Sequence, residues 1–442
     1  MAHHERSPDP PTPLAVARRN YRFGVINGVS FTIGESITSP GLVLSLLVRQ
    51  LGGPLILIGM LPAIQTMGYL MPQLLVSGRL QALRFRLPFY RRIGLVRLGV
   101  QALLVVAIFG AAVLPPPIAL ALIVGLYTLF NFAGGMTTLA FQDVVAKVIP
   151  LTVRGRFFGT RQLVGGLLAF ALGGTLVRWL LSTDSPVGFP GNFGTLAFLS
   201  LVCFSIGIGS FSLVKEPPQP ALARPQRMID GLRRAPELLR TNRNYRWFII
   251  TRLLGRTGQI AEPFYIIYAT ETLGLPQSVA GVFVAIWALA GALSNLGWGR
   301  LSDRHGNRAL LLLTSSTAVL GPLLMLAGPA AVQAASLGET ALVAMLGLAF
   351  LAVGAAADGT MIASMTYLLE IAPEDERPTY VGLANTILGV GALLPVLGGW
   401  LVLQIGYQGT FMAGACFALL ALASSRRLVE VRRQPATRQR TA

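Results

Sequence analysis

Within the centres of the helices expected from the apolar stretches of this chain stand the ionisable residues Glu35, Arg252, Arg256, Glu262 and Asp358, supported by the neutral polar residues Asn131, Gln259 and Asn295. Such groups suit two kinds of chemistry. Opposite charges can pair and hold segments together, or a carboxyl group can bind and release a proton and face a charged solute. Enzyme chemistry is not expected, because the chain contains no HExxH, no GxSxG and no Walker glycine loop. Ser302, Asp303 and His305 are close in sequence, which does not make a triad, and no cofactor is expected. His3 and His4 alone do not make a metal site.

The elements that must position these residues follow from composition. Hydrophobic residues make up 53% of the chain and charged ones only 12%, with a mean hydropathy of +0.63. That describes a protein whose solvent is lipid. Twelve continuous apolar runs, at 23–48, 53–77, 93–114, 118–146, 157–181, 194–214, 247–270, 278–299, 309–329, 341–370, 380–404 and 409–425, are each read as one helical crossing of a bilayer core about 30 Å thick. The expected fold is all-α, with twelve transmembrane helices in two six-helix halves. At 1.5 Å of rise per residue, Glu35 lies roughly 18 Å beyond Phe23 and Asp358 roughly 18 Å before Glu370, so both fall near the midplane. Arg252 lies nearer the end of its helix and can reach water along its stem. Arg256 is deeper, with Glu35 or Asp358 as expected partners. Glu262 precedes Pro263, where a missing backbone N–H favours a bend.

The net charge of +18 is distributed by loop. Arg79, Arg84, Arg86, Arg91 and Arg92 follow helix two, and Lys215, Arg224, Arg227, Arg233, Arg234, Arg240, Arg243 and Arg246 fill the centre, whereas 114–119 carries no charge. By the positive-inside rule both termini and the even-numbered loops are expected in the cytoplasm of a multi-pass protein of the inner or plasma membrane. That pattern accounts for the basic residues, so lipid is the expected partner and nucleic acid is not. The expected organisation is a mobile segment 1–22, a first half 23–214, a cytoplasmic linker 215–246, a second half 247–425 and a basic tail 426–442. Residues 1–20 contain no apolar core, so no cleavable signal is expected there. Cys203 and Cys416 fall inside helices six and twelve and are expected to pack rather than to pair.

The chain also repeats itself. NYR occurs at 20–22 and at 244–246, and a slide of about half the chain sets Pro40 on Pro263. Further along, Pro150, Arg154, Gly159 and Gly166 meet Pro373, Arg377, Gly382 and Gly389. Two homologous halves with the same orientation follow, related by an axis along the membrane normal. The loop GRLSDRHGNR at 299–308 then resembles the cytoplasmic signature of the major facilitator superfamily through Gly299, Asp303, Arg304, Gly306 and Arg308. The matching first-half loop, 78–92, keeps its Gly and Arg residues but has no acid.

The resemblance implies that helices one, four, seven and ten surround a central cavity. Glu35, Asn131, Arg256, Gln259, Glu262 and Asp358 are therefore the candidates for binding a small-molecule substrate or a proton. It also implies alternating access by a secondary active transporter acting as a monomer, with loop 299–308 clamping the halves while the cavity faces outward. Export and uptake both stay open, because the Gly/Pro pattern of helix five in proton-linked exporters is not matched at 165–177, and a similar pattern, GALLPVLGG, stands in helix eleven at 391–399. A non-transporting sensor or assembly factor on the same fold is the alternative.

Overall fold

Inside lipid, each apolar run must close its backbone hydrogen bonds within itself, and helices do so. The computed structural model describes residues 13–81, 83–218, 235–373 and 377–430, and among them there is no strand. The first crossing is α1 (Pro13–Ile37), a π-turn at Pro40–Leu44, and α2 (Ser45–Gln50). Then come α3 (Leu55–Gln81), α4 (Leu87–Gly110) and α5 (Pro116–Val148). The fifth crossing joins α6 (Leu151–Leu168) to α7 (Gly174–Leu180) through a second π-turn, and α8 (Gly191–Ser212) closes the first half.

A short α9 (Ala235–Thr241) leads into the seventh crossing, built from α10 (Arg243–Gly258), a 3-10 turn at Gln259–Phe264, α11 (Tyr265–Ile267) and a π-turn at Tyr268–Thr272. The rest is α12 (Val279–His305), α13 (Asn307–Ala334), α14 (Glu339–Ile371), α15 (Arg377–Gly391) and α16 (Val396–Ser425).

Among the described residues, ten helical segments are long and apolar enough to cross a membrane. Two more crossings come from physical detail. The last segment, Tyr380–Ser425, has 46 residues, about 70 Å of helix, and it turns at Gly406, whose φ of 71° is in the left-handed region that glycine tolerates. It therefore crosses twice. The seventh crossing is absent from the ten because Arg252, Arg256 and Glu262 dilute its apolar character. Among the described residues the total is therefore twelve, in two halves. α3 and α12 both have 27 residues and start 224 positions apart; α5 and α14 both have 33 and start 223 apart.

The repeated NYR motif explains how each half is tied together. In the first half, Asn20 Nδ2 donates to Lys215 O at 3.0 Å and Lys215 N donates back to Asn20 Oδ1 at 3.0 Å. In the second, Asn244 Oδ1 accepts from Val429 N at 3.0 Å and from Tyr367 Oη at 2.9 Å. Each asparagine thus holds the strand of chain that leaves the sixth helix of its own half, and the next residue along is a glutamate. Glu216 accepts from Arg86 N and Leu87 N at 2.9 and 2.7 Å, and Glu430 accepts from Arg308 N at 3.3 Å. A carboxylate there meets the orphan N–H groups and the positive dipole end of the third helix of its own half, α4 or α13.

The buried cores divide unequally. On the face with the basic loops, one cluster (Leu80, Phe141, Phe157, Phe211) belongs wholly to the first half and another (Tyr245, Leu310, Tyr367, Tyr380) wholly to the second. On the opposite face a single cluster runs through both, including Leu42, Leu46, Val177, Phe283, Phe350 and Phe411. Small residues permit the approach. Gly174 abuts Gly281 and Ala285, Gly166 abuts Ala292, and Gly399 abuts Leu55 and Ile56. The halves therefore meet on one face and part on the basic one.

Candidate functional site

Where the halves part, a cavity of about 440 Å³ lies between them. The first crossing supplies Glu35 and Thr32, the fifth Gln162, the seventh Arg256, Gln259 and Glu262, the eighth Trp287 and the tenth Asp358. Irregular backbone places several of these groups. Pro263 has no N–H to donate, and the 3-10 turn Gln259–Phe264 presents Gln259 and Glu262. On the first crossing, Pro40 opens the π-turn a little beyond Glu35. Non-helical turns at such depth are tolerated where they line a cavity.

Neither cavity glutamate is in direct ion pairing. Among the described residues the pairs within 4 Å are Arg49–Glu271, Arg86–Asp143 and Lys147–Glu216. Glu35 Oε1 accepts from Tyr69 Oη at 2.8 Å, and Tyr69 Oη accepts from Arg97 Nη2 at 3.4 Å. In the second half, Arg256 Nη1 donates to Gln259 Oε1 at 3.4 Å, and Glu262 lines the same cavity. A neutral side chain thus relays an arginine to a glutamate in the first half, and a neutral side chain takes the arginine in the second. The expected pairing of Arg256 with Glu35 or Asp358 is not made, since Gln259 lies one turn along the same helix and takes its place. Asp358 Oδ2 accepts from Asn295 Nδ2 at 2.9 Å and, across the two halves, from Gln162 Nε2 at 3.4 Å.

Of the six candidate cavity residues, Glu35, Arg256, Gln259, Glu262 and Asp358 are brought together. Asn131 is not among the residues that line this cavity; it is 2% exposed, packs against Gly68 and donates from Nδ2 to Tyr127 O at 2.8 Å. Depth along a helix is legible from a sequence, but direction around it is set by the neighbour.

Arg97 was not singled out by the sequence reading. It is 2% exposed and its guanidinium stands over the rings of Phe130, Phe31 and Phe204 at 4.3, 5.0 and 5.6 Å. Gly134 makes room for it, because a Cβ there would sit 3.0 Å from the guanidinium. Helix three was expected over 93–114 but begins at Leu87, so Arg97 is ten residues in rather than at the edge. Gln101, one turn later and also 2% exposed, was the available signal.

On the face opposite the basic loops, Glu271 takes both Arg49 Nε and Arg49 Nη2, the latter at 3.1 Å, and accepts from Tyr407 Oη at 3.2 Å. This pair joins the first crossing to the seventh. In the loop 299–308, Gly306 (φ 86°) separates α12 from α13, and Gly299 has open space where a Cβ would stand. Asn307 Nδ2 donates to Glu370 Oε1 at 2.8 Å and Arg308 Nη2 to Arg426 O at 3.1 Å, both partners in the second half. Arg304 is exposed, and the side chain of Asp303 lies outside the described residues.

The Major Facilitator Superfamily profile matches residues 24–327 and 248–442. A Deinococcus radiodurans protein provisionally named a sugar efflux transporter is 31% identical over 178 residues, which are 38% of this chain and 42% of that protein. An uncharacterized Mycobacterium tuberculosis protein is 24% identical over 261 residues, 58% of this chain and 48% of its own length. The chain spans about half the length of the curated relatives it matches. The crystal structure of a D-xylose–proton symporter superposes with a TM-score of 0.68 at 16% identity, covering 94% of this chain and 98% of that one, and shares the fold. With doubled six-helix halves, a cavity between them and a profile match over nearly the whole sequence, this chain belongs to the Major Facilitator Superfamily.

Proposed function

We propose that the protein is a secondary active transporter that carries a small solute through the central cavity by alternating access, with a proton as coupling ion. One observation carries the reading. The cavity lined by Glu35, Arg256, Gln259, Glu262 and Asp358 lies between two halves that share a core on one face and have separate cores on the other. Rocking about such a seam exposes the same groups first to one side and then to the other. By the Lys/Arg asymmetry the open face is cytoplasmic, so both termini and the 215–246 linker lie there and this arrangement faces inward. Residues 23–214 and 247–425 are the two moving bodies of a monomer in the inner or plasma membrane. Glu35, Glu262 and Asp358 are the proton-carrying candidates, and the 299–308 loop serves the outward-facing state, with Asp303 as its latch.

Uptake into proteoliposomes, with a panel of labelled sugars, nucleosides and organic acids, tests this. At least one solute is expected to enter faster than into protein-free vesicles, and an imposed pH gradient is expected to drive its accumulation. No solute entering faster would sink the transport reading; entry indifferent to the pH gradient would remove the proton.

A further inference from the structure

A second cavity, of about 260 Å³, lies inside the first half and shares Thr32, Glu35 and Gln162 with the central one. Two guanidinium groups line it, Arg97 on α4 and Arg161 on α6. Neither has a carboxylate within 4 Å among the described residues. Arg161 donates from Nη1 to Gly24 O at 3.0 Å and from Nη2 to Asn27 Oδ1 at 3.3 Å, and it lies over the Phe141 ring at 4.5 Å. Arg97 is held by Tyr69 Oη and by aromatic faces, and its buried Nε has no hydrogen-bond partner. Both cations are thus oriented by neutral groups.

The second half shows what balance looks like. A cavity of about 300 Å³ inside it is lined by Arg252 and Arg256 and also by Glu262 and Asp358. The first-half cavity offers two guanidinium groups to one carboxylate, and that carboxylate, Glu35, is already engaged by Tyr69. Buried positive charge without a counter-ion is costly, and a planar fork of N–H donors suits carboxylate or phosphate oxygens.

We infer that this first-half cavity is an anion subsite, in which the carboxylate or phosphate of a small organic solute binds Arg97 and Arg161 while the rest of the molecule extends past Glu35 into the central cavity. The inference rests on the central cavity being the transport path. Phe31, Phe141 and Phe158 in the same wall suit an organic body rather than a bare inorganic ion.

The test uses the full-length protein in detergent, with thermal unfolding read against D-glucuronate, benzoate and inorganic phosphate, and against the neutral counterparts D-glucose and benzyl alcohol. At millimolar concentration an organic anion is expected to raise the melting temperature saturably while its neutral counterpart does not. Arg97→Gln and Arg161→Gln are each expected to weaken that binding roughly ten- to a hundredfold, the range for losing a charge-assisted hydrogen bond. Arg161 is only partly buried, so Arg161→Gln keeps the test decisive if the Arg97 variant fails to fold. Equal stabilisation by the neutral counterparts overturns the subsite, as does unchanged affinity in the arginine variants or no stabilisation by any anion. Stabilisation by phosphate alone rejects the organic solute. Arginine-dependent binding of an anion that is not carried in proteoliposomes would leave the subsite standing and remove the transport reading. A solute carried with no dependence on either arginine would do the reverse.

Discussion

Gln162 Nε2 and Asp358 Oδ2, 196 residues apart in the chain, lie 3.4 Å from one another across the seam between the halves. The bond is long and borders the open cavity, so we assign it about 1 kcal/mol of preference for the present arrangement, which corresponds to roughly a fivefold ratio. Gln162→Leu is expected to lower the ratio of inward- to outward-facing protein by that factor, read as weaker labelling of a Thr66→Cys variant from the basic side. Asp358→Asn is expected to fold normally and to lose accumulation driven by a pH gradient, because an amide carries no proton. Full accumulation by that variant would shift the proton-carrying role to Glu35 or Glu262.

The Arg49–Glu271 pair closes the opposite face. Both side chains are about a third exposed, 37% and 35%, so solvent screening holds the pair to about 0.2–1 kcal/mol. Arg49→Glu is expected to widen that face, changing the ratio of open to closed protein there up to fivefold, and the double variant Arg49→Glu with Glu271→Arg to restore it. Spin labels at Val187 and Gln277 report the separation. No recovery in the double variant would mean that the two charges do not act on each other.

Closure depends on glycine at the seam. A Cβ at Gly281 would run into the backbone of Arg178 and Gly174 on the fifth crossing, and backbone cannot step aside. Gly281→Leu is expected to fold, to abolish transport and to leave Thr66→Cys accessible from the face opposite the basic loops. Gly125→Leu, where a Cβ meets nothing within 4 Å, is the control and is expected to behave as the parent.

Orientation is open to direct test in a Cys203→Ser, Cys416→Ser background. A cysteine at position 230 is expected to react with an impermeant reagent only after the cells are opened, and one at position 186 in intact cells. The opposite pattern would invert the topology.

The parts of this molecule that were legible in its sequence are those set by local composition. Apolar runs marked the twelve crossings, and the cost of charge in lipid singled out Glu35, Arg256, Glu262 and Asp358 without any neighbour being known. Asn131 shows the limit of that reasoning, since it stands at the right depth but turns toward Gly68 and Tyr127. Arg97 and Arg161 show another, because an arginine near a helix end is ordinarily a snorkelling residue. Only the aromatic rings contributed by other helices show that these two are held inside. The pairing of Arg49 with Glu271 joins residues 222 positions apart, and no local pattern connects them.

The asparagine and glutamate clamps at Asn20 with Lys215 and Glu216, and at Asn244 with Val429 and Glu430, are each completed by residues of one half alone. Neither half borrows from the other to fasten its own ends. A chain cut in two near residue 225 should therefore yield two polypeptides that each fold and then find one another in the membrane. Joining the halves in one chain would then serve chiefly to hold them at a one-to-one ratio.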